Sequence, residues 1–368
     1  MRRIAPPAAA DLRTVALTLA VGAVGGALFA WARLPLAWMM GAMCLTTVCA
    51  LGGAKVRVHP PLRALMIAVL GVMLGSAFRP AMFARLGEWG VSLSALFVFV
   101  AASAGLATIY FRRVGRYDRT TAYFSAIPGG LSAMILLGGA MGGDDRTIAL
   151  THASRILLVV LTIPFWFRLV EGYAPPPGGI GPAFAPFATI PAGDLALLVL
   201  CGVVGFFAAR AIRLPLAALT GPMALSAAAH LMELTASKPP SELIVIAQIV
   251  VGSAIGCRFA GVPLRRVLHA IAVATGSTVL MLGLCVGLSL AINGATGLPI
   301  EALVLAYSPG GLAEMSLIAL ALGIDPAFVS SHHVVRIFLV VILAPLAFRA
   351  VGRMLARRRS AGQPAKGD

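Results

Sequence analysis

The sequence predicts an all-α, polytopic helical membrane protein: a tandem, inverted repeat with a Pro-Gly-Gly-interrupted helix in each half, about ten crossings and two broken or re-entrant segments. Three observations carry this. Of the 368 residues, 60% are hydrophobic and only 11% are charged, whereas a soluble domain carries about a quarter charged residues. That excludes a water-soluble globular enzyme. Apolar runs recur at the length of a spanning helix, roughly 20 residues. Finally, the chain matches itself at an offset of 180 to 181 positions.

The first apolar run, 15–32, follows Arg2 and Arg3 and ends in Ala30-Trp31-Ala32, the three parts of a cleavable signal. The repeat argues for a retained helix instead. Gly22, Gly25, Arg33-Leu34-Pro35-Leu36-Ala37, Gly41 and Met43 recur as Gly202, Gly205, Arg213-Leu214-Pro215-Leu216-Ala217, Gly221 and Met223, where no signal could lie. One inserted residue then shifts the offset to 181. Gly71, Gly75 and Phe78 recur as Gly252, Gly256 and Phe259; Gly142, Asp144, His152, Arg155, Ile156 and Pro164 recur as Gly323, Asp325, His333, Arg336, Ile337 and Pro345.

Helical segments are expected at 14–32, 35–52, 64–79, 91–111, a broken 120–141, and 146–168. In the second half they fall at 193–212, 214–232, 243–260, 267–292, a broken 300–322, and 326–348. The domain reading is a first repeat over 1–171, a Pro/Gly-rich linker over 172–192, a second repeat over 193–352 and a basic tail over 353–368. Each break is Pro-Gly-Gly. Proline removes a helical hydrogen bond and paired glycines free the backbone, so a helix there kinks, unwinds or turns back.

Whether the broken segment crosses or re-enters sets the symmetry, and loop charge discriminates. The chain carries 29 Lys and Arg against 13 Asp and Glu. With the N-terminus inside, the re-entrant, inverted arrangement places 22 basic residues inside and 5 outside (Arg33, Arg79, Arg85, Arg168, Lys238), leaving Arg155 and Arg336 within the membrane. The crossing, parallel arrangement gives 18 and 9. The inverted arrangement is therefore expected, with both termini cytoplasmic. Inverted halves with interrupted helices are a transporter design, with half-helix ends meeting near the midplane.

Charges inside hydrocarbon need a partner or a job. Arg336 lies eleven residues past Asp325, roughly 16 Å along a helix, and His333 sits one turn earlier on the same face; His152 and Arg155 repeat the pattern. Each Arg can either hold the broken backbone or bind a solute. Asp144 and Asp325 read as N-caps, Asp325 with proline at the first helical position. Glu314 breaks the symmetry, its counterpart being Ala133, so Arg336 has a candidate partner and Arg155 has none in its own half. An arginine facing the positive end of a half-helix starting near Gly130 favours an anion. The candidate binding residues are Arg155, Arg336, His152, His333, Glu314, Gly129, Gly130, Gly310 and Gly311, with Glu314, His152 and His333 as proton carriers.

No catalytic site, metal or cofactor is expected. Cys44, Cys49, Cys201, Cys257 and Cys285 lie in apolar runs without ligand spacing. His332 and His333, adjacent on a helix, point about 100° apart and cannot share one ion. No HExxH, GxSxG or nucleotide-binding glycine motif is present. Direct nucleic-acid binding is not expected either, because the basic residues separate apolar runs instead of forming one face, and the tail is too short to fold as a DNA reader. Its charges suit anionic lipid headgroups.

The motif Pro128-Gly129-Gly130-Leu131-Ser132-Ala133-Met134, its twin Pro309-Gly310-Gly311-Leu312-Ala313-Glu314-Met315, and the His-x-x-Arg-Ile that follows each resemble the bacterial AbrB-duplication membrane family. The resemblance covers residues 12–353. It implies an inner-membrane protein associated with regulation of gene expression; members carry the labels AbrB family transcriptional regulator and putative ammonia monooxygenase. The layout is also similar to that of the cation-proton antiporter and anion transporter superfamily. A monooxygenase would need a copper or iron ligand cluster that the sequence lacks. The expected function is secondary transport of a small anionic solute, with proton coupling. The alternative is a membrane-embedded sensor acting indirectly on gene expression through a protein partner, or as a homo-oligomer.

Overall fold

A computed structural model describes residues 9–80, 82, 86–170, 172 and 185–361. Arg2, Arg3, Arg85, most of the 172–192 linker and the end of the tail lie outside the described residues. All regular structure among the described residues is helical. The first half holds α1 (Ala9–Trp31), α2 (Ala37–Leu51), α3 (Pro60–Gly75), α4 (Leu86–Arg113), α5 (Arg119–Ala126), α6 (Leu131–Ala140) and α7 (Asp145–Val170). The second holds α8 (Ala192–Ala211), α9 (Ala217–Leu231), α10 (Ser241–Gly256), α11 (Leu264–Thr296), α12 (Ile300–Tyr307), α13 (Leu312–Ala321) and α14 (Pro326–Ala361).

Seven helices, α1, α4, α7, α8, α10 with its 3-10 extension, α11 and α14, are long and apolar enough to cross a membrane. The protein is a multi-pass membrane protein. The helices α2, α3 and α9 have 15, 16 and 15 residues, short of the roughly 20 a full crossing needs. They pack inside the bundle, α2 on α10 and α3 on α9. α3 starts earlier than expected, because Pro60 and Pro61 occupy its first turn, where a missing N–H costs no intrahelical bond. α14 continues to Ala361, through part of the segment expected as tail.

Local chemistry sets the ends. The Arg-Leu-Pro-Leu turn stops α1 with Arg33 in left-handed conformation (φ 50°) and a Leu34 N–H to Phe29 carbonyl bond of 2.9 Å. Arg213 (φ 56°) and the Leu214–Ala209 bond, also 2.9 Å, repeat it after α8. This is the six-to-one closure usually given to glycine. Asp118 caps α5 by accepting from the Thr120 and Thr121 amides at 2.9 and 3.0 Å. Asp118→Ala should lower stability by about 1 kcal/mol, read as a fall in thermal midpoint in detergent; an unchanged midpoint would show that the cap contributes nothing. Asp144 accepts from the Thr147 hydroxyl at 2.6 Å and the Arg146 amide at 3.0 Å, and these bonds, the Thr147 hydroxyl foremost, hold its carboxyl below the usual carboxylate range. Asp325 caps α14 through the Ala327 amide at 2.9 Å.

In lipid no hydrophobic force drives helix on helix, so close packing through small residues does the work. A Cβ on Gly25 would collide with the Gly41 carbonyl, and one on Gly41 with the Gly25 carbonyl; Gly205 and Gly221 stand in the same relation. Gly71 and Gly75 of α3 lie against the Leu219 and Met223 carbonyls of α9, and Gly252 and Gly256 of α10 against Met39 and Met43 of α2. The contacts thus come in pairs that exchange the halves, each short helix of one half gripping the other half.

The first broken segment turns back. The Asp144 amide donates to Thr121 Oγ1 at 2.9 Å, and Gly138 packs on Phe124, so α6 runs antiparallel to α5 and ends beside its start. Three further neighbourhoods bring basic residues together with distant segments. Arg168 Nη1 donates to the Arg33 carbonyl at 2.7 Å, Lys238 lies beside Ser76 and Ala77 at the end of α3, and Arg258 shares a cavity wall with Arg63.

Candidate functional site

The two Pro-Gly-Gly breaks meet. Both line one cavity of about 120 Å³ between the halves. The break ends α5 at Ala126 and α12 at Tyr307, which leaves the last carbonyls of each half-helix without amide partners. Arg155 supplies them. Its Nη1 donates to the Ser125 and Ala126 carbonyls at 3.2 and 3.4 Å, and its Nη2 to the Ile127 carbonyl at 3.3 Å. Arg336 does the same at the second break, donating to the Ser308 carbonyl and, at 2.7 Å, to that of Gly310. A cation at a helix C-terminus also complements the helix dipole. Of the two jobs open to these arginines, holding the backbone is one they perform.

Each arginine is steadied by its histidine. His152 Nε2 faces the Phe124 carbonyl at 2.8 Å while Nδ1 meets Arg155 Nη2 at 2.9 Å; His333 repeats this with Leu305 and Arg336, both at 2.9 Å. A carbonyl only accepts and a guanidinium only donates, so Nε2 carries the proton and Nδ1 accepts, and both imidazoles are neutral. Both nitrogens are used, and protonating Nδ1 would cost the arginine bond. His332 points elsewhere, to Ser92 Oγ at 2.9 Å and the Phe328 carbonyl at 2.8 Å. Tyr307 donates to the Ser92 carbonyl at 2.6 Å, tying α12 to α4.

Glu314 does not pair with Arg336. Among the described residues the one ion pair within 4 Å is Arg57–Asp11, at 2.9 Å. Two arrangements explain this: the Arg336 amino groups are spent on carbonyls and His333, and the Glu314 carboxylate folds back over Gly311 at the start of α13. There it sits in the first turn, where the dipole favours an anion. Glu314 and both arginines line the same cavity.

Of the sequence candidates, Gly129, Gly130, Gly310, Gly311, Glu314, Arg155 and Arg336 line the cavity, while His152 and His333 stand behind the arginines. Gly129 and Gly310 are packed against Val340 and Met315, so their missing side chains serve close packing. Sequence reasoning missed Arg63 and Arg258, which also line the cavity. They count only as loop charges in a linear reading, and neither has a basic counterpart one repeat away; no signal in the sequence separates them from the rest. Arg63 is half-buried at the start of α3 and Arg258 exposed at the end of α10. The cavity wall thus carries four guanidiniums and one carboxylate.

The sequence has relatives. The chain is 24% identical over 360 residues to the uncharacterized protein YhjN of Bacillus subtilis (strain 168), covering 93% of this chain and 94% of that one. It is also 24% identical over 348 residues to the putative regulator AbrB of Escherichia coli (strain K12), covering 94% and 97%. The family model described as transition state regulatory protein AbrB matches residues 38–352, a span that takes in both breaks, both His-x-x-Arg pairs and every cavity residue named above. A match of that extent makes the chain a member of the AbrB family.

Proposed function

We propose that the protein is a secondary transporter of a small anionic solute in a bacterial inner membrane, with both termini cytoplasmic, and that it is not an enzyme. One observation carries the reading: the helix breaks of both halves line a single cavity whose charged lining is four arginines and one glutamate. Half-helix ends converging between related halves suit alternating access, and the basic excess suits an anion. Of the three candidate proton carriers, only Glu314 is not committed to bracing a break.

The test is uptake of a panel of small anions into proteoliposomes, with Arg63→Gln and Arg258→Gln as variants. These two residues bond no break carbonyl, so the fold should survive their loss. Uptake above protein-free liposomes, reduced several-fold in the variants, is expected. Uptake equal to that of protein-free liposomes for every anion would overturn the reading.

A second reading, a sensor acting indirectly on gene expression, draws on the printed name of the Escherichia coli relative and on a basic recess. This recess of about 900 Å³ is lined by Arg146, Arg258, Arg265, Arg266 and His269 and suits an acidic partner. It predicts expression changes on deletion that persist in a flux-dead variant.

A further inference from the structure

Three arginines stand at helix starts, where the dipole favours an acid. Arg146 is the second residue of α7, and Arg265 and Arg266 are the second and third of α11. A cation in the first turn opposes the dipole, so these charges do not serve their own helices. α7 packs on α11, and the two starts, together with Arg258 just beyond α10, line the recess of about 900 Å³. Four guanidiniums and the His269 imidazole therefore share one wall, drawn from three separate segments of the chain.

Like charges in one recess repel, and little in the wall offsets them. Asp144 is its one carboxylate among the described residues, and the oxygens of Asp144 are engaged by the Arg146 amide at 3.0 Å and the Thr147 hydroxyl at 2.6 Å. Asp145, though next to Arg146, lies outside the wall. Among the described residues none of the four guanidiniums has a carboxylate within 4 Å. The wall also has an apolar side, with Leu150, Val262 and Pro263 beside the half-buried Tyr117.

We infer that this recess binds an organic phosphate carrying two or more negative charges. Guanidinium forks pair bidentately with phosphate oxygens, and a terminal phosphate or diphosphate presents enough oxygens to engage several forks at once; a carboxylate presents two. The acids of a protein partner would come singly, on stems spaced along a backbone, whereas the four guanidiniums converge on one pocket. Its volume lies within the roughly 300–1,000 Å³ of small-molecule sites, more than a bare phosphate fills, and Leu150, Val262 and Pro263 offer the carbon body an apolar side. The recess opens among helix starts, at an end of the bundle, so a soluble phosphate and a phospholipid headgroup both present this chemistry.

The test is calorimetric titration of ADP into the protein in phosphatidylcholine nanodiscs, with succinate and polyglutamate as comparators, repeated in discs that contain cardiolipin. Arg258 also lines the central cavity, so the diagnostic variants are Arg265→Gln and Arg266→Gln, which line the recess and not that cavity. Both residues are exposed, so the fold should survive their loss. In phosphatidylcholine discs wild type should bind ADP at least tenfold more tightly than succinate. Each variant should weaken ADP binding several-fold, and the double variant at least tenfold. Arg13→Gln, which removes an exposed charge from neither wall, should stay within twofold of wild type. Unchanged ADP affinity in cardiolipin discs assigns the recess to a soluble phosphate, and a fall of tenfold or more assigns it to a lipid headgroup; either result supports the inference. It is overturned by absence of ADP binding in phosphatidylcholine discs, by succinate or polyglutamate binding as tightly as ADP, or by wild-type affinity in the double variant.

The inference does not rest on transport; it deepens the sensor reading, giving it a small-molecule ligand in place of an acidic protein. Titration reads only the site. ADP binding with the expected variant pattern, but no expression change on deletion, removes the sensor reading and leaves the site. Expression changes without ADP binding remove the site and leave the sensor reading.

Discussion

Replacing Arg336 with methionine is expected to disable folding at the second break. The Ser308 and Gly310 carbonyls and His333 Nδ1 would lose their donor. Each buried acceptor left unsatisfied costs roughly 1–3 kcal/mol, so three sum to roughly 3–9 kcal/mol, a large part of a protein's net stability. Arg155→Met faces a like loss at the Ser125 and Ala126 carbonyls and His152 Nδ1, while the Ile127 carbonyl keeps the Gly129 amide at 2.8 Å. Lysine should rescue neither, since a point charge on a flexible stem cannot bridge carbonyls that a planar fork spans. The readout is thermal midpoint and monodispersity in detergent. A wild-type midpoint for Arg336→Met would show that the arginine serves only the cavity.

The second large effect is steric. Alanine at Gly41 or Gly221 would drive a methyl group into the backbone of Gly25 or Gly205, which cannot yield without separating α1 from α2 or α8 from α9. Overpacking of this kind costs roughly 1–3 kcal/mol or more, and leucine at either position should prevent folding. The two substitutions should behave alike, because the approach is the same in both halves. Gly283 of α11 is the internal control, since a Cβ there would meet nothing within 4 Å. Gly283→Ala should be neutral or stabilise by up to about 1 kcal/mol, the helix-interior penalty of glycine. Equal loss of folded protein for Gly41→Ala and Gly283→Ala would show that helix propensity, not close approach, governs these positions.

Much of this architecture was legible residue by residue. Apolar runs located the helices, because a bilayer demands segments of one character, but three of the ten expected crossings, α2, α3 and α9, are too short to span. The offset repeat marked Gly25, Gly41, Arg155 and Arg336 as paired before any contact was known. Asp144 and Asp325 announced themselves as caps, since an N-cap depends only on the next few residues. Such features are local, or repeat local features, and local chemistry is written in order along the chain.

The cavity was not legible in this way. Arg63, Leu216, Arg258 and Pro309 are far apart in sequence and share no pattern, yet they stand in one wall. Glu314 looked like a partner for Arg336, one helix away; its carboxylate turned instead to the start of its own helix, over Gly311. The composition and the matches at one offset pointed to a membrane protein with two interrupted helices and two arginines within it. Only the packing of α3 on α9 and α2 on α10 brought the interruptions together and assigned the arginines to the broken backbone. Long-range packing is set by which glycines let which backbones touch, and that depends on three-dimensional approach, which no linear period encodes.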